Sequence, residues 1–138
     1  MTSELNGSGR AVDAPGGPEQ RYFDWLASGE WRIPHCTSCS RAVFYPRIVC
    51  PFCSGRAFDW KRPSGLGTIY ASTAMRRPAE AGGDLNLCLV DLDEGVRMMS
   101  RVVGVDPGAP RCGERVRAFV DMTGDTPLVL FRREENNA

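Results

Sequence analysis

Cys36-Thr37-Ser38-Cys39 and, after ten intervening residues, Cys50-Pro51-Phe52-Cys53 are the stretches that decide how this 138-residue chain folds. Two CxxC knuckles at this spacing each turn tightly enough to aim two sulfurs at one ion, with Zn–S distances near ~2.3 Å. Four thiolates on a closed tetrahedron leave no coordination position for water or substrate, so such a metal is structural. Iron accepts the same ligand set, as in a rubredoxin-type electron carrier, and a disulfide pairing is the other alternative. A ribbon of about thirty residues is too short to fold on apolar burial, so the ion supplies much of its folding free energy. Phe44, Tyr45, Phe52, Phe58 and Trp60 are expected to shield the thiolates.

Charge sharpens the picture of this segment. The whole chain is neutral, with 17 basic and 17 acidic residues, and Lys61 is its one lysine. Between Glu30 and Arg62, however, six basic residues face two acidic ones, a local excess of +4. Arginine presents a planar fork suited to carboxylate and phosphate. An overall neutral chain is a poor general binder of nucleic-acid backbone.

N-terminal to the knuckles, Pro18-Glu19-Gln20-Arg21 reads as a helix start, with proline in the first turn and an acid at the positive dipole end. Tyr22, Phe23, Trp25 and Leu26 follow, and Ser28-Gly29 stops the helix. A helix of about a dozen residues is marginal alone, so this aromatic load either caps the chain's own core or docks on a partner. Residues 1–17 and 134–138 read as tails. Neither an apolar signal core nor a run near ~20 apolar residues occurs, so the expectation is a cytoplasmic protein without a membrane span.

C-terminal to the ribbon the text turns to short β-rich runs. Gly67–Met75, Asp84–Leu92, Val96–Val103, Glu114–Met122 and Pro127–Arg132 are five predicted strands, with Asp93-Glu94-Gly95 as a hairpin turn. In the fourth, Val116, Ala118 and Val120 are expected inward and Arg115 and Arg117 outward. Five strands in about seventy residues point to an OB-like closed barrel. The expected architecture is mostly β: helix over 18–29, rubredoxin-like zinc ribbon over 30–62 and five-stranded OB-fold barrel over 63–133. With one histidine, His35, and no phosphate-loop motif, the chain offers no convincing nucleophile–base pair, and no catalytic residue is assigned. Cys88 reads as a small buried hydrophobe and Cys112 as a loop cysteine without a nearby base.

The pieces recur together in one family. Tyr22–Leu26, Cys36–Cys53 with Tyr45-Pro46-Arg47, Gly65–Tyr70, Leu92–Arg97 and Val129–Arg132 give the chain, over residues 18 to 133, a resemblance to the DUF35 family. The resemblance implies an OB-fold protein with an N-terminal zinc ribbon that assists a thiolase-like enzyme acting on acyl-CoA thioesters by Claisen condensation, thiolysis or retro-aldol cleavage. It implies zinc on Cys36, Cys39, Cys50 and Cys53, and catalytic groups that belong to the partner. Tyr22, Phe23, Trp25, Leu26, Trp31, Phe44 and Tyr45 are the expected partner interface, and Arg47, Arg76 and Arg77 the expected contacts to CoA phosphates. One departure bears on geometry. The family has glycine after the second cysteine of each knuckle, where this chain has Ser40 and Ser54. The alternatives to the accessory role are a nucleic-acid-binding ribbon and barrel, or the iron electron carrier.

Overall fold

The structure is a computed structural model, and it describes residues 17–134. The tails expected at 1–17 and 134–138 lie outside the described residues except at their inner ends, where Gly17 opens a helix and Glu134 is described. By contact density the chain divides into two compact units. One contains residues 17–63 with Glu94–Val96 and Met122–Leu128; the other contains Ser64–Asp93, Arg97–Asp121 and residues 129–134.

In the first unit, helix α1 (Gly17–Ala27) carries Glu19 in its first turn and buries Pro18, Tyr22 and Leu26. It ends where the sequence indicates. The Gly29 N–H reaches Leu26 O (2.9 Å), the Glu30 N–H reaches Trp25 O (3.0 Å), and Gly29 supplies the left-handed φ of 88°. This pairing satisfies carbonyls that a helix end otherwise leaves bare. Tyr22 stacks edge-on against Phe23 (5.3 Å between centroids) and Phe44 (5.4 Å), contacts worth roughly 0.5–1.5 kcal/mol each. Two short strands, β1 (Ile33–Cys36) and β2 (Phe58–Lys61), pair antiparallel with Cys36 opposite Phe58.

The second unit is built on β3 (Leu66–Met75), β4 (Leu85–Leu92), β5 (Arg97–Ser100), β6 (Arg115–Asp121) and β7 (Leu128–Arg133), in sheet order β5-β4-β3-β6-β7. Val102 and Phe131 form a parallel bridge between the two ends of that order, through Val103 N–H to Phe131 O (2.9 Å) and Phe131 N–H to Arg101 O (3.0 Å). This strand order with a parallel closure is the OB-like barrel that the strand spacing implied. β3 holds two neighbours by bending. It pairs with β6 over Leu66–Thr68 and with β4 along its length, with an irregularity between Ile69 and Ala71. Gly67 permits the approach, because a Cβ there would lie 2.7 Å from Val90 Cγ1 and 2.9 Å from Asp91 O.

β4 alternates strictly, burying Asn86, Cys88, Val90 and Leu92. Asn86 is the polar member of that stripe and is fully used. Its amide donates to Ser72 Oγ (2.9 Å) and Pro107 O (2.9 Å), and its oxygen accepts from Val102 N–H (3.0 Å). The inward stripe expected on the fourth barrel strand holds at Val116 alone. Ala118 and Val120 are only half-buried, as is Phe119 between them, because β6 leaves its pairing with β3 after Arg117. Cys88 is buried as expected, and burial pushes its thiol up to about 11.

Candidate metal centre

Each knuckle is closed by the same pair of backbone hydrogen bonds. In the first, Ser40 N–H reaches Cys36 O (2.9 Å) and Cys36 N–H reaches Arg41 O (2.9 Å). In the second, Ser54 N–H reaches Cys50 O (2.9 Å) and Cys50 N–H reaches Gly55 O (2.8 Å). Closing the turn this way forces the residue after the second cysteine into the left-handed region. Ser40 and Ser54 adopt φ of 67° and 66°, the conformation for which glycine is the low-cost choice.

The two turns aim four sulfurs at one point. The Sγ atoms of Cys36, Cys39, Cys50 and Cys53 all lie within 4.8 Å of one another. Cys36 and Cys53 are 3.5 Å apart, and Cys39 and Cys50 3.7 Å. These separations far exceed a disulfide bond of about 2.05 Å. They match the edge of a tetrahedron, which is about 3.8 Å for Zn–S bonds near 2.3 Å. All six cysteines are free thiols. The Phe52 N–H points at Cys50 Sγ (3.4 Å), the kind of outer contact that orients a ligand.

Electrostatics explains why this donor set suits a cation. Backbone N–H groups of Cys39 and Ser38 draw the Cys36 thiol down to about 6. The Gly55 N–H acts in the same direction on Cys53, yet the crowding of Cys36, Cys39 and Cys50 drives that thiol up to about 12. A cluster this tight cannot hold four negative sulfurs without a positive ion among them.

The shielding of the cluster differs from the sequence expectation. Phe58 packs on it as expected, together with Val43, which was not singled out. Phe52 and Tyr45 are instead exposed, and Phe44 turns to Tyr22 on the helix. Local sequence cannot tell which aromatic faces the sulfurs, since strand register decides it: Cys36 stands opposite Phe58. Gly55 is a further contributor that sequence reasoning missed. A Cβ there would lie 3.2 Å from Cys36 Sγ and 3.3 Å from Cys53 Sγ, so a side chain at this position would crowd the sulfurs. Its place two residues after Cys53 was the available signal. His35 does not join the sulfur group; its buried Nδ1 has no hydrogen-bond partner among the described residues.

Of the expected interface residues, Tyr22, Leu26 and Trp31 are interior to their own unit, so they cap its core. Phe23, Trp25 and Phe44 are half-buried, Trp25 lying under the Arg32 guanidinium (4.4 Å), and Tyr45 is exposed. Of the expected CoA contacts, Arg47 is exposed in the first unit, while Arg76 and Arg77 lie together in the second. Arg76 meets Asp84 (3.2 Å) with most of its side chain in solvent, and Arg77 donates through Nε to Gly83 O (3.0 Å).

A four-sulfur ribbon and an OB-like barrel in one chain define a class of two-part metal-ribbon proteins. A family model described as the rubredoxin-like zinc ribbon domain of ChsH2 matches residues 24–59, and one described as its C-terminal OB-fold domain matches residues 60–121. The chain belongs to the DUF35 family. It is 29% identical over 85 residues to a DUF35 domain-containing scaffold protein of Methanothermobacter thermautotrophicus, covering 59% of this chain and 64% of that one. It is 26% identical over 114 residues to a probable enoyl-CoA hydratase alpha subunit of Thermomonospora curvata, covering 78% of this chain but only 36% of the relative. The solved Ltp2-ChsH2(DUF35) aldolase contains a chain of the same fold, at a TM-score of 0.75 and 23% identity, covering 84% of this chain and 94% of that one. No helix among the described residues is long and apolar enough to cross a membrane.

Proposed function

We propose that this chain is a cytoplasmic, non-catalytic accessory subunit of a thiolase-like enzyme acting on acyl-CoA thioesters. In this reading Cys36, Cys39, Cys50 and Cys53 hold one zinc ion, which serves only to fix the ribbon. The observation that carries it is the closed four-sulfur cluster in a DUF35 chain, since four sulfur ligands leave no coordination position for chemistry. Relatives named as scaffold proteins, and a chain of the same fold solved within an aldolase together with Ltp2, support an assembly role. Phe23, Trp25, Phe44 and Tyr45 are the members of the expected interface with surface left for a partner. Arg47, Arg76 and Arg77 are the candidate grips for CoA phosphates, which paired guanidinium hydrogen bonds suit. Arg47 is exposed and forms no ion pair with a described residue, and the Arg76–Asp84 pair is so open to water that it contributes little and exchanges readily.

The test is purification of the tagged chain from its own organism, with metal analysis and mass identification of what accompanies it. One zinc per chain and a stoichiometric thiolase-like subunit are expected. A red, iron-loaded protein that purifies alone would overturn the accessory reading in favour of electron transfer.

A further inference from the structure

The ribbon carries exposed apolar and cationic side chains around its metal-site cysteines, of which Tyr45 alone leans on the fold, against Tyr22 and Phe44. From Cys36 to Ala57 the chain has three arginines, Arg41, Arg47 and Arg56, and no Asp or Glu. All three are exposed, and none forms an ion pair with any described residue. Outside this stretch Glu30 takes both Arg32 (2.9 Å) and Arg62 (3.2 Å), while Asp59 and Lys61 stand exposed on β2.

Large apolar side chains stand among these charges. Tyr45, Ile48 and Phe52 are 40%, 47% and 54% exposed. The Arg41 guanidinium lies over the Phe52 ring at 4.6 Å, which joins the first knuckle to the second through an exposed pair. Beside that pair opens a cleft of about 420 Å³ lined by His35, Ser40, Arg41, Ala42 and Phe52 and, from the hairpin turn that belongs to the same unit, Glu94 and Gly95. Phe52 sits between two metal-site cysteines, so its backbone is fixed before any partner arrives, and little ordering cost is left to binding. Exposed aromatics and arginines on a rigid support are the usual anchors of a protein interface.

We infer that Arg41, Arg47, Tyr45, Ile48 and Phe52 form the docking face for an acidic, apolar-pocketed surface of the partner subunit. Charge complementarity selects this occupant: residues 36–57 hold three exposed arginines and no acid of their own, against the one carboxylate, Glu94, that lines the cleft. The zero net charge of the whole chain argues against single-stranded nucleic acid, although Tyr45 and Phe52 offer rings to stack on. This inference rests on the accessory reading above and adds to it the face that docks.

The experiment measures binding of the purified thiolase-like subunit to the full zinc-loaded chain, without CoA, so that Arg47 is read in its docking role alone. Wild type is compared with Arg41→Glu, Arg47→Glu, Ile48→Ser and Phe52→Ser across a salt series. Metal content and melting temperature of each variant confirm the fold; all four side chains are exposed, so both should be kept. The charge reversals should slow association about tenfold at low salt and converge on wild type at high salt. The apolar variants should raise Kd about tenfold with little salt dependence. Wild-type affinity in all four variants would overturn the docking face while leaving the accessory reading in place. Failure of the wild-type chain to bind the subunit would overturn the accessory reading, and the docking face with it. Tight binding of a labelled single-stranded DNA oligomer, lost in the arginine variants, would overturn the protein partner in favour of nucleic acid.

Discussion

The ribbon and the barrel solve the stability problem of a small chain in opposite ways. The barrel closes on itself: its strands form one ordered sheet whose ends meet at Val102 and Phe131, and its arginines are largely engaged inside the unit. Arg97 grips Asp91 (2.6 Å) and covers Tyr70, Arg115 grips Asp93 (2.9 Å), Arg117 grips Glu134 (3.0 Å), and Arg133 grips Glu114 (3.2 Å). The ribbon has two strands of four residues each and a sulfur cluster suited to an ion from outside the chain. Its outer arginines are left without carboxylates among the described residues. A unit that satisfies its own charges and hydrogen bonds has little to offer a partner. A unit that completes itself with a metal can afford an unsatisfied surface.

The sharpest way to break this contrast is to remove the metal ligands. Cys36→Ser, or a strong chelator, should unfold the ribbon while the barrel keeps its protected amides. Structural zinc in isolated finger peptides contributes about 10–16 kcal/mol, more than a unit this small can replace. Hydrogen exchange read residue by residue checks it, and collapse of both units together would show that the barrel is not self-sufficient.

A smaller effect is expected from the barrel side. Gly67→Ala forces a Cβ against Val90 and the Asp91 carbonyl, and should cost about 1–3 kcal/mol in urea denaturation with zinc content unchanged. Loss of metal in this variant would mean that the two units are more tightly coupled than their separate bonding implies.

The smallest change runs the other way. Ser40→Gly and Ser54→Gly should each stabilise the ribbon by up to about 1 kcal/mol, because both serines occupy a left-handed conformation that glycine adopts without strain. Slower zinc transfer to a competing chelator is the measurement. Unchanged transfer would show that hydrogen bonding of the serine side chains offsets the backbone cost.

Much of this was readable along the chain. The CxxC spacing placed four sulfurs together because a knuckle is a local turn, and local turns are set by neighbouring residues. The serines at 40 and 54 left open whether the knuckles turn differently, and the structure keeps the turn, with both serines in the left-handed region. The five strands followed from alternation and turn residues, and the helix stop at Gly29 from its cap. Tertiary structure decided which groups face which. Phe58 and Val43 cover the sulfurs while Phe52 points to solvent, because β1–β2 register, not aromatic content, chooses the lining. Tyr22, Leu26 and Trp31, plausible anchors by type, went to the interior of their own unit. Asn86 became the polar tie of the barrel because the strands brought Ser72, Val102 and Pro107 around it from distant positions. Sequence determines what a residue can do within a turn or a strand; long-range pairing determines which neighbour it does it to.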